Sequence, residues 1–391
     1  MEGLVSYTPM TDMLRERGVF DRYPFVLIDV GCAGGIAEPW RAFGPSLVAH
    51  GYDPDVGACE EARARETFPD VHYHSQFVGL PDSHPFVQRR RADAVHWPNT
   101  NIWARVTAGH LASKQQDMDA GAPAAAKRLA DPSTVTGMAE IVRENQLHTI
   151  DFLKVDVDGP DLDVLESARD VLGEQQVLGV GLEVNWFGSP SPSEHTFHNT
   201  DLFLREQGYA LFGVTFRSYS RTDLPAPFVY EFYAQTRFGQ PYQGDAIYVR
   251  DLASPDHWEL ARAYPAEKLA KLACIYELIG LPDCSAEVLN RFREQLAICG
   301  DLDELLNALT PPLLGEKLTY REYIERFEQQ PELFLPSAER ATATKPSNPA
   351  PSKSPPPAPR PGEAGILTRS RAHLQRLARK ASRILTSALA C

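Results

Sequence analysis

Apolar positions between residues 24 and 250 come in short unbroken runs, separated by stretches in which they recur every three or four residues. The first run, Pro24 to Val30, is continuous and closed by glycines, the pattern of a strand buried on both faces. Further strands are predicted at Ser46 to Tyr52, Val71 to Val78, Ile150 to Val155 and Val177 to Val184. Tyr209 to Phe216 and Ala246 to Arg250 fit an antiparallel pair. Helices are predicted over Gly57 to Phe68, Val135 to Asn145, Asp161 to Leu172 and Thr200 to Gln207, the last stopped by Gly208. Strands alternating with helices in this way predict an α/β fold: an open, mostly parallel seven-stranded sheet with helices on both faces. Residues 89–131 carry no clear periodicity.

Beyond residue 250 the pattern changes. From His257 to Phe334 it is helical, and Leu269, Leu272, Ile275, Tyr276 and Ile279 form one apolar stripe that reads as core. Clustered prolines, among them Pro355, Pro356 and Pro357, make the next segment an extended linker without a core. Helical periodicity returns from Ile366 to Leu389, with leucines on one face and Arg369, Arg376, Arg379, Lys380 and Arg383 on the other. The expected organisation is a domain over 1–250, a helical extension over 251–335, a disordered linker over 336–363 and a basic amphipathic helix over 364–391.

Charge divides the chain in the same place. The net charge is −13, yet from Lys353 onward eight Lys or Arg face one acid, so that segment carries +7 and residues 1–352 carry −20. An acidic body argues against nucleic acid as a partner, because phosphate contacts need clustered Lys and Arg. The basic helix suits an anionic membrane surface, a partner protein or the acidic body itself. The six cysteines form no C-x-x-C pair, and Met1 to Arg17 lacks an apolar signal core. Reduced thiols and a cytoplasmic protein, at most peripheral to the inner face of a membrane, are expected.

Ligands of an open parallel sheet bind beyond the carboxyl ends of its strands. Chemistry-bearing residues gather at those ends here: Asp29 and Gly31 after the first strand, Asp53 after the second, Asp156 and Asp158 after the fourth, Glu183 and Asn185 after the fifth. Gly31, Gly34 and Gly35 allow a tight turn and close approach to a ligand. An acid 22 residues past Gly31 suits the paired hydroxyls of a ribose. That half of the pattern fits a nicotinamide dinucleotide or a sulfonium nucleoside, although G-x-x-G-G departs from the dinucleotide spacing G-x-G-x-x-G. Asp82 is a further candidate for an adenine contact, or a plain turn residue. Trp97, Asn99, Asn101 and Trp103 are candidates to line an acceptor pocket, or loop anchors. No metal is expected: His195 and His198 lack a third ligand, and Gly159 falls at the wrong position for a calcium loop.

The segment Ile150-Asp151-Phe152-Leu153-Lys154-Val155-Asp156-Val157-Asp158-Gly159, followed by Asp161 and by Val164-Leu165-Glu166-Ser167-Ala168, resembles the FkbM family of methyltransferases. Its counterpart there is I-D-x-L-K-[IV]-D-[IV]-E-G-x-E, with V-L-x-G-A shortly after. Asp29-Val30-Gly31 through Gly35 is similar to the family's D-V-G-A-N-x-G, and Tyr52-Asp53-Pro54 to its F-E-P. Gly208-Tyr209 and Gly244 to Val249 are similar to its late G-Y and G-N-x-[LI]-F-V segments. The likeness spans about residues 24–250. It departs at Asp53 and Asp158, where the family has Glu, and at Ala33, where it has Asn.

What the resemblance implies is a class I, Rossmann-like methyltransferase fold that binds S-adenosylmethionine (SAM) and methylates a hydroxyl of a sugar, glycan or natural product. Asp29, Gly31, Gly34, Gly35, Asp53 and Asp82 would then contact the cofactor. Asp156 is the first candidate for base or substrate orienter, with Lys154 and Glu183 next; a buried ion pair is the alternative role for Lys154. A catalytically silent scaffold on the same fold, or a nicotinamide-dependent oxidoreductase, are the competing functions.

Overall fold

The structure is a computed structural model that describes residues 4–93, 128–157, 161–186, 188–221, 223–229 and 235–336. Trp97, Asn99, Asn101 and Trp103, the acid Asp158, nearly all of the linker and the basic helix lie outside these residues. The chain divides into two compact units, Met1–Gln329 and Gln330–Cys391. The described part of the second is short and contains the 3₁₀ turn Pro331–Phe334.

Ten strands occur among the described residues: β1 (Phe25–Val30), β2 (Leu47–Asp53), β3 (Val71–Ser75), β4 (Phe77–Val78), β5 (Val135–Thr136), β6 (Phe152–Val155), β7 (Gly179–Asn185), β8 (Ala210–Val214), β9 (Arg217–Tyr219) and β10 (Gln240–Val249). The main sheet has the order β3-β2-β1-β6-β7-β10-β8, with β9 attached to β10. The first five strands run parallel and β10 is antiparallel to both neighbours. Strand order reverses at β1, which sits between β2 and β6, and it is beyond the carboxyl ends at such a switch point that sheets of this kind bind ligands. This is the strand order of the class I methyltransferase fold that the sequence predicts. β4 and β5 form a separate parallel pair, because the run Val71 to Val78 breaks at Gln76, whose N–H donates to the carbonyls of Asp53 and His74.

Every residue of β1 is buried because both faces are covered. Phe25 and Leu27 join one core with Trp40, Phe43, Leu269, Leu272 and Ile275. Val26, Ile28 and Val30 join the opposite core with Ile141, Leu162, Leu165, Leu172 and Leu204. A side chain of this size contributes about 1.5–3 kcal/mol when fully buried. The predicted helix Asp161 to Leu172 is two helices, Asp161–Ser167 and Arg169–Glu174, joined at Ala168.

The helical extension packs into the first of these cores. Helix Ala266–Leu278 carries two buried lysines to the amino ends of the strands. Lys268 and Lys271 each lie 2.8 Å from a carboxylate oxygen of Asp151, one residue before β6. Their ammonium groups also donate to the carbonyls of Ile150, Gln176 and Pro24. Burial alone would raise the Asp151 pKa, but the two lysines outweigh it and hold it below the usual carboxylate range. Further along the same helix Glu277 accepts from the N–H groups of Met10 and Thr11 and from the Thr11 hydroxyl. It thereby caps helix Pro9–Glu16, whose own N-cap residue, Thr8, makes no side-chain cap. Among the described residues no helix is long and apolar enough to cross a membrane.

Candidate functional site

The loop after β1 is fixed from both sides. Gly31 and Cys32 donate to the carbonyl of Tyr52 at the end of β2, at 2.7 and 3.2 Å. On the other side Asp156 donates to Val30 O at 2.8 Å. Gly31 adopts φ +90°, and a Cβ built there would stand 1.8 Å from the Asp156 carbonyl oxygen, so no other residue fits. Gly34 differs: nothing lies within 4 Å of a Cβ at that position, which leaves this side of the loop open to a ligand. Gly35 returns to positive φ, +86°, and closes the turn by donating to Cys32 O.

Lys154 ties the group together. Its ammonium lies 2.9 Å from Asp29 Oδ1, 2.8 Å from the Gly31 carbonyl and 3.5 Å from Asp156 Oδ2. Burial disfavours the ammonium, but Asp29 and Asp156 offset this and its pKa is raised. Burial raises Asp29 as well, against the opposing pull of Lys154. The ammonium thus bridges the tips of β1 and β6.

Asp53 ends β2 nearly buried, at 8% exposure. Its Oδ1 accepts from Asp55 N at 2.8 Å, and Asp55 in turn caps helix Val56–Arg65 through Ala58 N. The second Asp53 oxygen carries no protein hydrogen bond among the described residues, so it is available to a ribose hydroxyl. Open space over Gly34 beside an acid at the next strand tip fits a nucleoside cofactor. Asp82 is exposed on the turn before helix Pro85–Asp93 and pairs with Arg91.

A second cluster surrounds Glu183 on β7. Arg217, the first residue of β9, donates to Glu183 Oε2 and, at 3.1 Å, to Asp245 Oδ2 on β10. Gln243 donates to the same Glu183 oxygen at 3.2 Å. Burial raises the Glu183 pKa; Arg217 opposes that shift and Asp156 reinforces it. Asp161, 1% exposed, accepts from Val157 N at 2.9 Å and lies 3.8 Å from His195 Nε2. Burial, with the charges of Asp156 and Glu183, pushes the Asp161 pKa well up, while burial and Arg90 push His195 down to about 4. At neutral pH the imidazole is uncharged.

His195 sits in the loop before helix Phe197–Glu206. It is buried, while His198, the second residue of that helix, is exposed. No group of three His, Cys, Asp or Glu among the described residues is placed to hold a metal ion. Arg217 and Gln243 had no signal in the sequence, since the three-residue β9 exists only through its pairing with β10. Asp245 stood in the late glycine segment, where its pairing with Arg217 was not legible.

Residues 106–211 match the methyltransferase FkbM domain. No curated protein matches the chain significantly. Similar solved structures include the magnesium protoporphyrin IX methyltransferase from Synechocystis PCC 6803 with bound SAM. It is 10% identical, with 63% of this chain and 80% of that chain covered and a TM-score of 0.26. A SAM-dependent methyltransferase from Aquifex aeolicus is 9% identical, with 62% and 92% covered and a TM-score of 0.23. Superpositions this weak add nothing to what strand order already establishes. The chain thus carries a methyltransferase FkbM domain over residues 106–211, on a sheet of class I methyltransferase strand order whose strand-tip cradle fits S-adenosylmethionine as cofactor.

Proposed function

We propose that the protein transfers a methyl group to a hydroxyl of a sugar, glycan or small natural product. The observation that carries this reading is the Asp156 carboxylate. It stands at the tip of β6, its side chain is 32% exposed, and Lys154 fixes it from below. SAM, when bound, supplies an electrophilic methyl group on a sulfonium. Transfer is an in-line displacement, so the chain's task is to align the acceptor and to take its proton.

The glycine loop and Asp53 hold the nucleoside in this reading. Asp156 orients the acceptor hydroxyl and accepts its proton. Glu183, whose proton affinity is raised by burial, is the second acidic group at the tips, positioned by Arg217 and Gln243. Lys154 stays protonated and keeps the β1 and β6 tips in register. A cytoplasmic setting suits the five free thiols among the described residues. The acidic body disfavours nucleic acid as acceptor, and the basic segment after Lys353 is assigned to contact with a membrane surface or a partner protein.

The test is incubation of the full chain and an isotope-labelled methyl donor with metabolite and glycan extracts, read by mass spectrometry. Label should appear on a hydroxyl-bearing product and be absent with Asp156→Asn. Label on nitrogen, or none while the cofactor binds, would overturn the assignment.

A further inference from the structure

Beyond Glu183 the chain builds an aromatic column. Trp186, one residue past the end of β7, has Phe197 and Phe216 at ring-centroid distances of 4.5 Å each. Phe197 and Phe216 come from different elements: the first opens helix Phe197–Glu206, the second lies between β8 and β9. Phe216 is nevertheless 59% exposed, so the column ends in a ring open to solvent.

The exposed ring is held in place. Thr215, before it, donates from its N–H to Asp245 O at 2.8 Å, and its hydroxyl receives a bond from Asp245 N, also at 2.8 Å. Arg217, after it, pairs with Gln243 in the ladder and reaches Glu183 and Asp245. Opposite them, Gly244 permits the packing. A Cβ there would lie 2.0 Å from the Thr215 carbonyl oxygen and 3.1 Å from Trp186 Nε1, so any larger residue would push the column apart. A single exposed phenylalanine needs no explanation. A ring pinned on both sides, stacked on a tryptophan and adjoining a carboxylate–guanidinium pair has the form of a binding platform.

We infer that Phe216, backed by Trp186, is the platform on which a pyranose acceptor stacks its C–H face, while Glu183 and Arg217 bind the ring hydroxyls. The inference rests on the proposed hydroxyl methylation and names its substrate class. Two chemistries meet at this spot. An aromatic face takes the apolar side of a flat ligand. A fixed carboxylate and guanidinium provide acceptors and donors for several hydroxyls at once. A planar aromatic natural product would use the ring and leave most of the polar group idle. A pyranose uses both.

The experiment is saturation-transfer NMR on the full chain with S-adenosylhomocysteine. The probes are the methyl pyranosides of glucose, galactose, mannose and rhamnose, set against a flavonoid of similar size. At least one pyranoside should receive saturation and compete with none of the bound nucleoside. Phe216→Ala should weaken that pyranoside roughly ten-fold. Phe216→Tyr should restore it, and S-adenosylhomocysteine affinity should stay within about two-fold in both. Pyranosides that receive no saturation, equal binding by Phe216→Ala, or binding of the flavonoid alone would each overturn the platform. Loss of S-adenosylhomocysteine binding by the unmodified chain would instead overturn the reading on which it rests.

Discussion

Lys154 and Asp29 occupy paired positions on the parallel strands β6 and β1 and close a 2.9 Å ion pair beneath the cofactor loop. The same ammonium reaches the Gly31 carbonyl and Asp156. One side chain therefore sets the relative height of the glycine turn, proposed to receive the nucleoside, and of the carboxylate proposed to address the acceptor.

Lys154→Met should leave Asp29 buried without a countercharge. Breaking such a pair from one side costs about 3–5 kcal/mol. Thermal denaturation should register that loss, and calorimetry should show weaker S-adenosylhomocysteine binding. A variant as stable as the parent would remove the clamp from the account.

The two glycines of the loop separate folding from binding. Gly31→Ala meets the Asp156 carbonyl at positive φ and should destabilise the protein by at least ~1–3 kcal/mol. Gly34→Ala meets nothing, so its stability should match the parent to within ~0.5 kcal/mol. Its methyl group would occupy the ligand's side, and affinity for S-adenosylhomocysteine should fall. Undiminished affinity in Gly34→Ala would mean that the nucleoside lies elsewhere.

Asp53→Ala should preserve the fold and weaken S-adenosylhomocysteine by about 10–100-fold, the worth of a hydrogen bond to a charged group. Isothermal titration decides the matter, with circular dichroism to confirm folding. Parent-like affinity would contradict a ribose contact at the β2 tip.

Asp156→Asn keeps the shape of the side chain and loses its basicity. Turnover should drop by roughly 10²–10⁴-fold with nucleoside affinity unchanged, the usual range for removal of a general base. Full turnover would take Asp156 out of proton transfer.

Asp161 makes a pH prediction. Its folded pKa is raised well above the unfolded value, chiefly by burial. Such a group favours the folded state below its unfolded pKa, and that contribution is lost as pH rises through the folded pKa. Asp161→Asn cannot ionise and retains an oxygen for Val157 N. It should therefore gain stability over the parent in alkaline buffer, with the gap closing as pH falls toward 4. Melting curves across pH would expose a constant gap, which this account forbids.

Strands β1, β2, β6 and β7 were legible because each is an apolar run long enough to be buried on both faces. Helix Pro9–Glu16 was not, since its cap comes from Glu277, 266 residues away from Thr11. The glycines and acids of the strand tips could be read one by one, because each follows its own strand. Arg217 could not: only the β9–β10 ladder brings it to Glu183, and nothing local marks it. Asp151 was visible as a letter in a motif, yet its countercharges lie more than a hundred residues later.

The lysine pair under β6 also makes the native sheet depend on a late part of the chain. During synthesis the first six strands and Asp151 leave the ribosome long before Lys268 and Lys271 are made. Until helix Ala266–Leu278 emerges, the floor of the nascent sheet lacks both its greasy cover and its cations, and Glu277 has yet to latch the start of the chain. A chain that ended between β7 and Leu278 would therefore lack the apolar cover and the two cations that seal this side of the sheet.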